Sequence, residues 1–595
     1  VAMVLGMGDS SRLNKILVKE KELLYSINSF NYTPLYPGLF IITGIGDPGN
    51  LENAVAEIKK EIQNVKQGGI TQAECEKAKA LVLSGYLESL QTVQSQARAI
   101  AQGQMLTGDP DFSKKYVAGI KKVKLEDIDR VAEKYLTDGN CTIVYLSPQS
   151  MVPASAKASA GKHSPRITPK TKTNAAKYVL PNGIRVILKE ERELPLVSII
   201  FSCLGGLRAE TKELNGICNL TGKMLLKGTN IRKEKDIKGS MENIGGGIAS
   251  FSGMNSFGLS LKFMSKDTDY ALELLEDVVK NSVFPENEME KLKNKIVAGI
   301  KIENDDIFQK GLLELKNGIF KTHPYGRRIA GETETIERIK KSDIIKFYKN
   351  LLNPENIVVT LVGDFDSEAL LKDIKKRFST LLCHSEEPKA TKNLTLDSSP
   401  PSGAQNDNSS IKEKLMYMPK EEALFVIGFK GADVKTGDRY ALEVISSVMS
   451  GNNGRLFHSV RDRLGLSYTQ GFSSIAGLDP GYCFFYVATD KKDMDRARDI
   501  ILSEISKIKS KPVSDIELVS GKNSLITKQI MSIQTNDAKA FTMALDELYS
   551  LGYKNYLHYK ENVEKCSKSD IIRVANKYFD LDKSFSVIIL PEERE

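Results

Sequence analysis

Histidine is scarce in this 595-residue sequence. The five present are His163, His323, His384, His458 and His558, and no two are spaced as paired metal ligands on a helix. Seven cysteines, Cys75, Cys141, Cys203, Cys218, Cys383, Cys483 and Cys566, are scattered and odd in number, with no C-x-x-C. That excludes a disulfide framework and a thiolate zinc site, and it leaves the redox compartment open. No apolar run is long enough for a bilayer-spanning helix, so no membrane-crossing segment is expected. The opening Val1-Ala2-Met3-Val4 carries no basic n-region of a signal peptide. A net charge of +8 comes with no nucleic-acid motif. Part of the excess lies in residues 157–172, so a mildly basic, solvated surface is expected and no nucleic-acid partner.

Against these absences stands an ordinary globular composition, 41% hydrophobic and 27% charged, long enough for several domains. An internal repeat organises it. Gly-Asp-Ser-Ser-Arg12-Leu13 matches Gly-Asn-Asn-Gly-Arg455-Leu456, an offset of 443 (455 − 12). The same offset pairs Tyr25 with Tyr468, Pro37-Gly38 with Pro480-Gly481 and Gln91-Thr92 with Gln534-Thr535. It also pairs Asp127-Ile128-x-Arg130-Val131-Ala132 with Asp570-Ile571-x-Arg573-Val574-Ala575, and Pro148 with Pro591. Residues 1–149 and 444–592 are therefore expected to share a fold. The second copy is preceded by an apolar strand-like run from Ala423 and then a helix start, whereas Val1 aligns inside that helix. The first copy is accordingly expected to be truncated upstream.

A different domain, 176–383, is expected between the copies. Lys177 to Leu188 holds two strand-forming runs joined by Pro-Asn182-Gly183, a hairpin signal. A third strand is expected at Leu196 to Leu204, helices at Tyr270 to Val279 and Glu286 to Glu303, and a buried strand at Ile357 to Gly363. Segments 150–175 and 384–410, rich in Ser, Lys, Pro and Asn, are expected as linkers, and 411–595 as the last domain. The mixture of elements points to α+β architecture.

At Asn215-Gly216-Ile-Cys-Asn219-Leu-Thr-Gly222-Lys223-Met224-Leu-Leu-Lys227-Gly228-Thr229 the chain resembles the pitrilysin/insulinase zinc peptidases, relatives of the mitochondrial processing peptidases. Those carry H-x-x-E-H here, usually followed by Met-Leu-Phe-Lys-Gly-Thr. Gly245-Gly246-Gly247, His323-Pro324-Tyr325-Gly326-Arg327 and Gly363-Asp364 strengthen the resemblance. It implies repeated αβ domains, each a mostly antiparallel sheet flanked by helices. In such a motif, positions i, i+3 and i+4 share a helical face, so two imidazoles hold zinc and the carboxylate serves a bound water as base. The matching positions here are Asn219, Gly222 and Lys223, and the third ligand's position falls at or beside Gly299. The resemblance therefore implies zinc in the parent protein and none bound by this chain. An equivalent edge strand takes substrate in the family's zinc domain; in this copy Gly245 to Gly247 are expected to form an ordinary glycine turn before a strand.

The last domain resembles the family's Arg…Tyr element at Arg461 and Tyr468, seven apart. The resemblance implies that both bind substrate and act in catalysis from the half opposite the zinc. A guanidinium and a phenol can donate hydrogen bonds to a developing oxyanion. In the first copy Val18 replaces the arginine and Tyr25 alone matches. The implied parent is a zinc endopeptidase that cleaves peptides or unfolded segments in a closed chamber. This chain would supply chamber wall and the Arg/Tyr pair, and an N-terminal zinc domain would be its partner. The alternatives are a non-catalytic partner or scaffold subunit, or a peptide-binding module without hydrolysis. A periplasmic or other extracytoplasmic location follows only from analogy with prokaryotic relatives.

Overall fold

The computed structural model describes residues 1–8, 10–146, 175–381, 412–451, 454–462 and 467–592. Both expected linkers lie outside the described residues, except Ala175, which opens a strand. No helix among the described residues is long and apolar enough to cross a membrane.

The N-terminal region begins with helix α1 (Ala2–Gly6), a π-helical turn (Asn14–Glu20) and strands β1 (Ser26–Tyr32) and β2 (Leu39–Ile45). Helices α2 (Leu51–Lys66), α3 (Gln72–Ser89), α4 (Val93–Thr107), α5 (Phe112–Lys122) and α6 (Leu125–Tyr135) follow. The central region holds β3 (Ala175–Val179), β4 (Arg185–Glu190), β5 (Leu196–Leu204), α7 (Ile217–Leu225), α8 (Glu234–Asn243), β6 (Gly247–Ser252) and β7 (Ser256–Met264). It continues through α9 (Thr268–Asn281), α10 (Glu286–Asp305), α11 (Ile307–Phe320), α12 (Thr333–Arg338), α13 (Lys341–Leu351), β8 (Ile357–Gly363) and α14 (Ser367–Phe378). The C-terminal region has β9 (Lys412–Met418), β10 (Glu422–Lys430), α15 (Asp438–Met449), a second π-helical turn (Phe457–Asp462), β11 (Ser467–Ile475) and β12 (Tyr482–Asp490). It closes with α16 (Met494–Ser510), α17 (Asp515–Ser532), α18 (Asn536–Leu548), α19 (Tyr559–Lys565), α20 (Lys568–Tyr578) and β13 (Phe585–Pro591).

This is an α+β fold of mostly antiparallel sheets flanked by helices. Six central strands run in the order β3-β4-β8-β5-β7-β6, and five C-terminal strands in the order β11-β12-β10-β13-β9. Each sheet has one parallel pair, β4 with β8 and β13 with β9. The β3–β4 hairpin turns on Gly183, whose φ of +98° suits a residue without Cβ. Asn182 anchors that turn by donating from Nδ2 to the Phe378 carbonyl at 2.8 Å.

Strand β8 is buried on both faces, and its alternation explains why. Ile357, Val359 and Leu361 enter the central region's own core. Val358 and Val362 face the other way, against Ala540, Met543, Ala544 and Leu548 of α18. A helix of the C-terminal region thus covers the central sheet. The exchange is mutual, because Leu315 of α11 packs with Leu424, Val426, Val587 and Ile589 of the C-terminal sheet. A Cβ on Gly311 would stand 2.6 Å from Leu424 Cδ2, so this glycine lets α11 come close.

The two copies match in their paired strands and in one partly buried ion pair. β1–β2 pairs from Ser26↔Ile45 to Tyr32↔Leu39, and β11–β12 from Thr469↔Ala488 to Ile475↔Tyr482, each pair displaced by the same 443. Arg12 grips Glu74 through Nε and Nη2, both at 2.7 Å, and Arg455 grips Glu517 through the same atoms at 2.6 and 3.0 Å. Among the described residues β13 has no counterpart: residues 141–146 are not paired in a sheet.

Candidate functional site

Helix α7 is held by its own N-terminus. The buried Glu210 carboxylate accepts from Asn215 Nδ2 at 2.8 Å, Gly216 N at 2.8 Å and Cys218 N at 3.0 Å. Burial pushes this carboxyl up to about 7, against three hydrogen bonds that favour the ion. Such a cap fixes the axis and rotation of the helix that presents Asn219, Gly222 and Lys223.

Those three positions do not form a metal site. A Cβ on Gly222 would lie 3.0 Å from the ring of the fully buried Phe257 and 3.5 Å from Ser250 Cβ. The Phe257 ring therefore crowds any side chain at position 222. Lys223 brings a cation, held below the ordinary lysine value first by partial burial and then by the charge of Lys295. Gly299, on α10, is exposed and has nothing within 4 Å of its Cβ direction, so it offers no donor. An amide, a hydrogen and an ammonium are the wrong donor set for Zn²⁺, so the residues present do not fit it.

Gly245 and Gly246 close α8 against its surroundings. Gly245 has φ +72°, and a Cβ there would stand 2.6 Å from the Ala80 carbonyl oxygen of α3. Gly245 lets the N-terminal and central regions pack closely, Gly246 lies against Lys262 and Phe263 of the central sheet, and Gly247 begins the edge strand β6.

Arg461 lies in the second π-helical turn and Tyr468 in β11; the side chains of both lie outside the described residues. Ser467 pairs with Thr489 and Thr469 with Ala488, so Tyr468 is the extra residue of a β-bulge. Upstream, the Arg455–Glu517 pair and the buried Leu456 and Val460 anchor the turn. Glu517 also accepts from Ser514 N and Oγ at the start of α17, forming a capping box. The Arg455 guanidinium, and next the Ser514 hydrogen bonds, hold its carboxyl down to about 2. Sequence reasoning did not find Glu517 as a partner of Arg455. The S-x-x-E spacing, repeated as Thr71-x-x-Glu74, was the available signal. In the first copy Val18 packs against the local core and Tyr25 is 63% exposed.

A polar joint ties the central and C-terminal regions. Arg208 Nε and Nη2 donate to Asp479 at 2.6 and 3.0 Å, and His323 Nε2 approaches the same carboxylate at 3.3 Å. Tyr325 is fully buried, accepts from Asp479 N at 3.2 Å and donates to Asn255. His323-Pro-Tyr325 is therefore a joint between sheets rather than part of the candidate metal helix.

Paired αβ layers, an inverted-motif helix stripped of ligands and a bulged strand after a π-turn define a class of proteins built like zinc peptidases. The chain belongs to the M16 (insulinase) peptidase family. Residues 185–333 match the insulinase (peptidase family M16) domain, and residues 1–82 and 338–525 match the peptidase M16 inactive domain. It is 26% identical to an uncharacterized zinc protease of Bacillus subtilis, over 62% of this chain and 88% of that protein. It is 23% identical to a probable mitochondrial-processing peptidase subunit beta of Arabidopsis thaliana, over 69% of this chain and 77% of that protein. A protease from Helicobacter pylori shares the fold at a TM-score of 0.64 and 19% identity, covering 70% of this chain and all (100%) of that one.

Proposed function

We propose that this chain is the zinc-free portion of an M16 metalloendopeptidase that hydrolyses peptides or unfolded segments inside a closed chamber. The zinc and its general base belong to a further domain of the parent protein. Arg461 and Tyr468 donate hydrogen bonds to the substrate carbonyl as it becomes an oxyanion, and this chain forms the wall of the chamber. The observation that carries this reading is a division of labour. Every ligand position on α7 is lost and Gly222 is crowded, while the Arg461…Tyr468 element is retained on an anchored π-turn and bulge. The duplication in the chain supports it, because one half of a single-chain enzyme can lose its metal once the other half keeps it.

The non-catalytic reading, a partner or scaffold subunit, draws on the match of residues 1–82 and 338–525 to a domain described as inactive. Kinetics separate the two. In the full-length protein, Arg461→Ala and Tyr468→Phe should each lower kcat/KM for peptide cleavage by about 10- to 1000-fold with bound zinc unchanged. Unchanged turnover removes the pair from the mechanism.

A further inference from the structure

The two copies differ in what holds their π-helical turns. Both keep the arginine–glutamate pair, Arg12 with Glu74 and Arg455 with Glu517, so that pair belongs to the shared fold. The second copy adds a further bond. Ser459 lies inside the second turn, and its Oγ donates to Glu504 Oε1 on α16 at 3.2 Å. Glu504 is only 4% exposed, and the same oxygen accepts from Lys507 Nζ at 2.7 Å. The offset of 443 maps Ser459 onto Ile16 and Glu504 onto Glu61. Ile16 has no hydroxyl, and Glu61 turns instead to Arg12 Nη1, 3.7 Å away.

The strand after the turn shows the same contrast. Phe472 N donates to Ser450 Oγ at 2.7 Å, and Ser446 Oγ donates to the Phe472 carbonyl at 2.9 Å, which ties β11 to α15. The counterparts of Ser446 and Ser450 are Met3 and Met7; there Ser29 Oγ of β1 reaches the Ala2 carbonyl at 2.9 Å. Gln470 lies on the face of β11 that carries Phe472, and Phe472 shares a core with Leu456 and Val460. The Gln470 Oε1 is buried with no hydrogen-bond partner among the described residues, which a purely structural position avoids. Its counterpart is the buried Ile27. Ser446, Ser450, Ser459 and Gln470 are thus polar in the copy that keeps Arg461. Met3, Met7, Ile16 and Ile27 are apolar in the copy that has Val18 in its place. The fold alone does not require the polar set, because the first copy forms its π-turn and hairpin without it.

We infer that Ser459, Glu504 and Gln470 are positioning residues for the Arg461…Tyr468 element. This rests on the proposed function, in which that element meets the substrate. A lone π-turn is a rare backbone form, and a hydrogen bond to a buried carboxylate fixes its rotation two residues before Arg461. Gln470 sets a buried acceptor two residues beyond Tyr468, beside the turn, where it steadies a donor of the element as the substrate carbonyl arrives. Placement of this kind acts on the transition state more than on substrate binding, so it is read in kcat.

The test uses the full-length protein and steady-state peptide cleavage. Ser459→Ile and Gln470→Ile install the residues of the first copy. Each should lower kcat by about 10-fold or more, with KM, zinc content and melting temperature little changed. Ser459→Ala repeats the test should the larger side chain prevent folding. Ser459→Thr keeps the hydroxyl and should keep kcat, and Ile16→Ser in the first copy should leave it unchanged. Ser459→Ile placed on Arg461→Ala should lower kcat no further, because it acts through that arginine. Full kcat in Ser459→Ile or in Gln470→Ile, with Arg461→Ala impaired, overturns the inference and spares the proposed function. A loss that Ser459→Thr shares, or one that adds to Arg461→Ala, marks a role apart from positioning and overturns it as well. Unchanged turnover in Arg461→Ala itself sinks both.

Discussion

Gly222 shows how one position can crowd a catalytic option. A Cβ there would stand 3.0 Å from the buried Phe257 ring, which would have to give by a few tenths of an ångström. The triple change Asn219→His, Gly222→Glu, Lys223→His should therefore lose about 1–3 kcal/mol in denaturant unfolding and still bind no zinc, since Gly299 supplies no third ligand. A stable variant with one zinc per chain would refute that account of the helix. Glu517 offers a second test. Its carboxyl is lowered from 4.5 to about 2, first by the Arg455 hydrogen bond. A depressed acid contributes stability that is full above the unfolded value and lost as pH falls towards the folded one. The side chain is 30% exposed, so screening reduces the contribution to about 1–2 kcal/mol. Glu517→Gln should be less stable at pH 7 by that amount, and the difference should shrink between pH 4.5 and 2. A constant difference across that range would show that the pair does not titrate as described. At this scale the sequence was legible where chemistry is carried by residue identity, as at Asn219 and Lys223. It was silent where a partner 62 residues away decides the role, as Glu517 does for Arg455.

At the scale of elements, apolar periodicity identified strands and helices well. β5 spans Leu196–Leu204 and β8 Ile357–Gly363, as the apolar runs indicate, because both strands are buried on both faces. The edge strand β9 was not singled out, since it is largely exposed and pairs only with β13, in parallel. The mutual covering of sheets by α18 and α11 was invisible as well. Helical spacing shows that a face is apolar, not which sheet it meets. Equivalent helices make this measurable. Met543→Ala, fully buried on α18, should cost about 2–5 kcal/mol. Ile100→Ala, its exposed counterpart on α4, should change the stability of this chain by less than about 0.5 kcal/mol. Equal effects would mean that α4 is already packed against something in this chain.

The whole molecule is two related copies around a shared joint, with a central sheet domain gripping both. The offset of 443 was readable from the run of matched pairs that begins at Arg12 and Arg455, and the structure adds its meaning as an internal two-fold through Gln91 and Gln534. What the sequence could not give was the inter-regional chemistry, such as Arg208 and His323 on Asp479, because those residues lie far apart along the chain. The account's central claim is that this chain completes a zinc site carried elsewhere and holds none itself. The most direct test is the zinc content of the purified 595-residue chain after dialysis against trace zinc, with peptide hydrolysis measured before and after adding the zinc-bearing domain. The account predicts well under one zinc per chain, no hydrolysis alone and hydrolysis on mixing. One tightly bound zinc per chain, or peptide turnover by the chain alone, would contradict it.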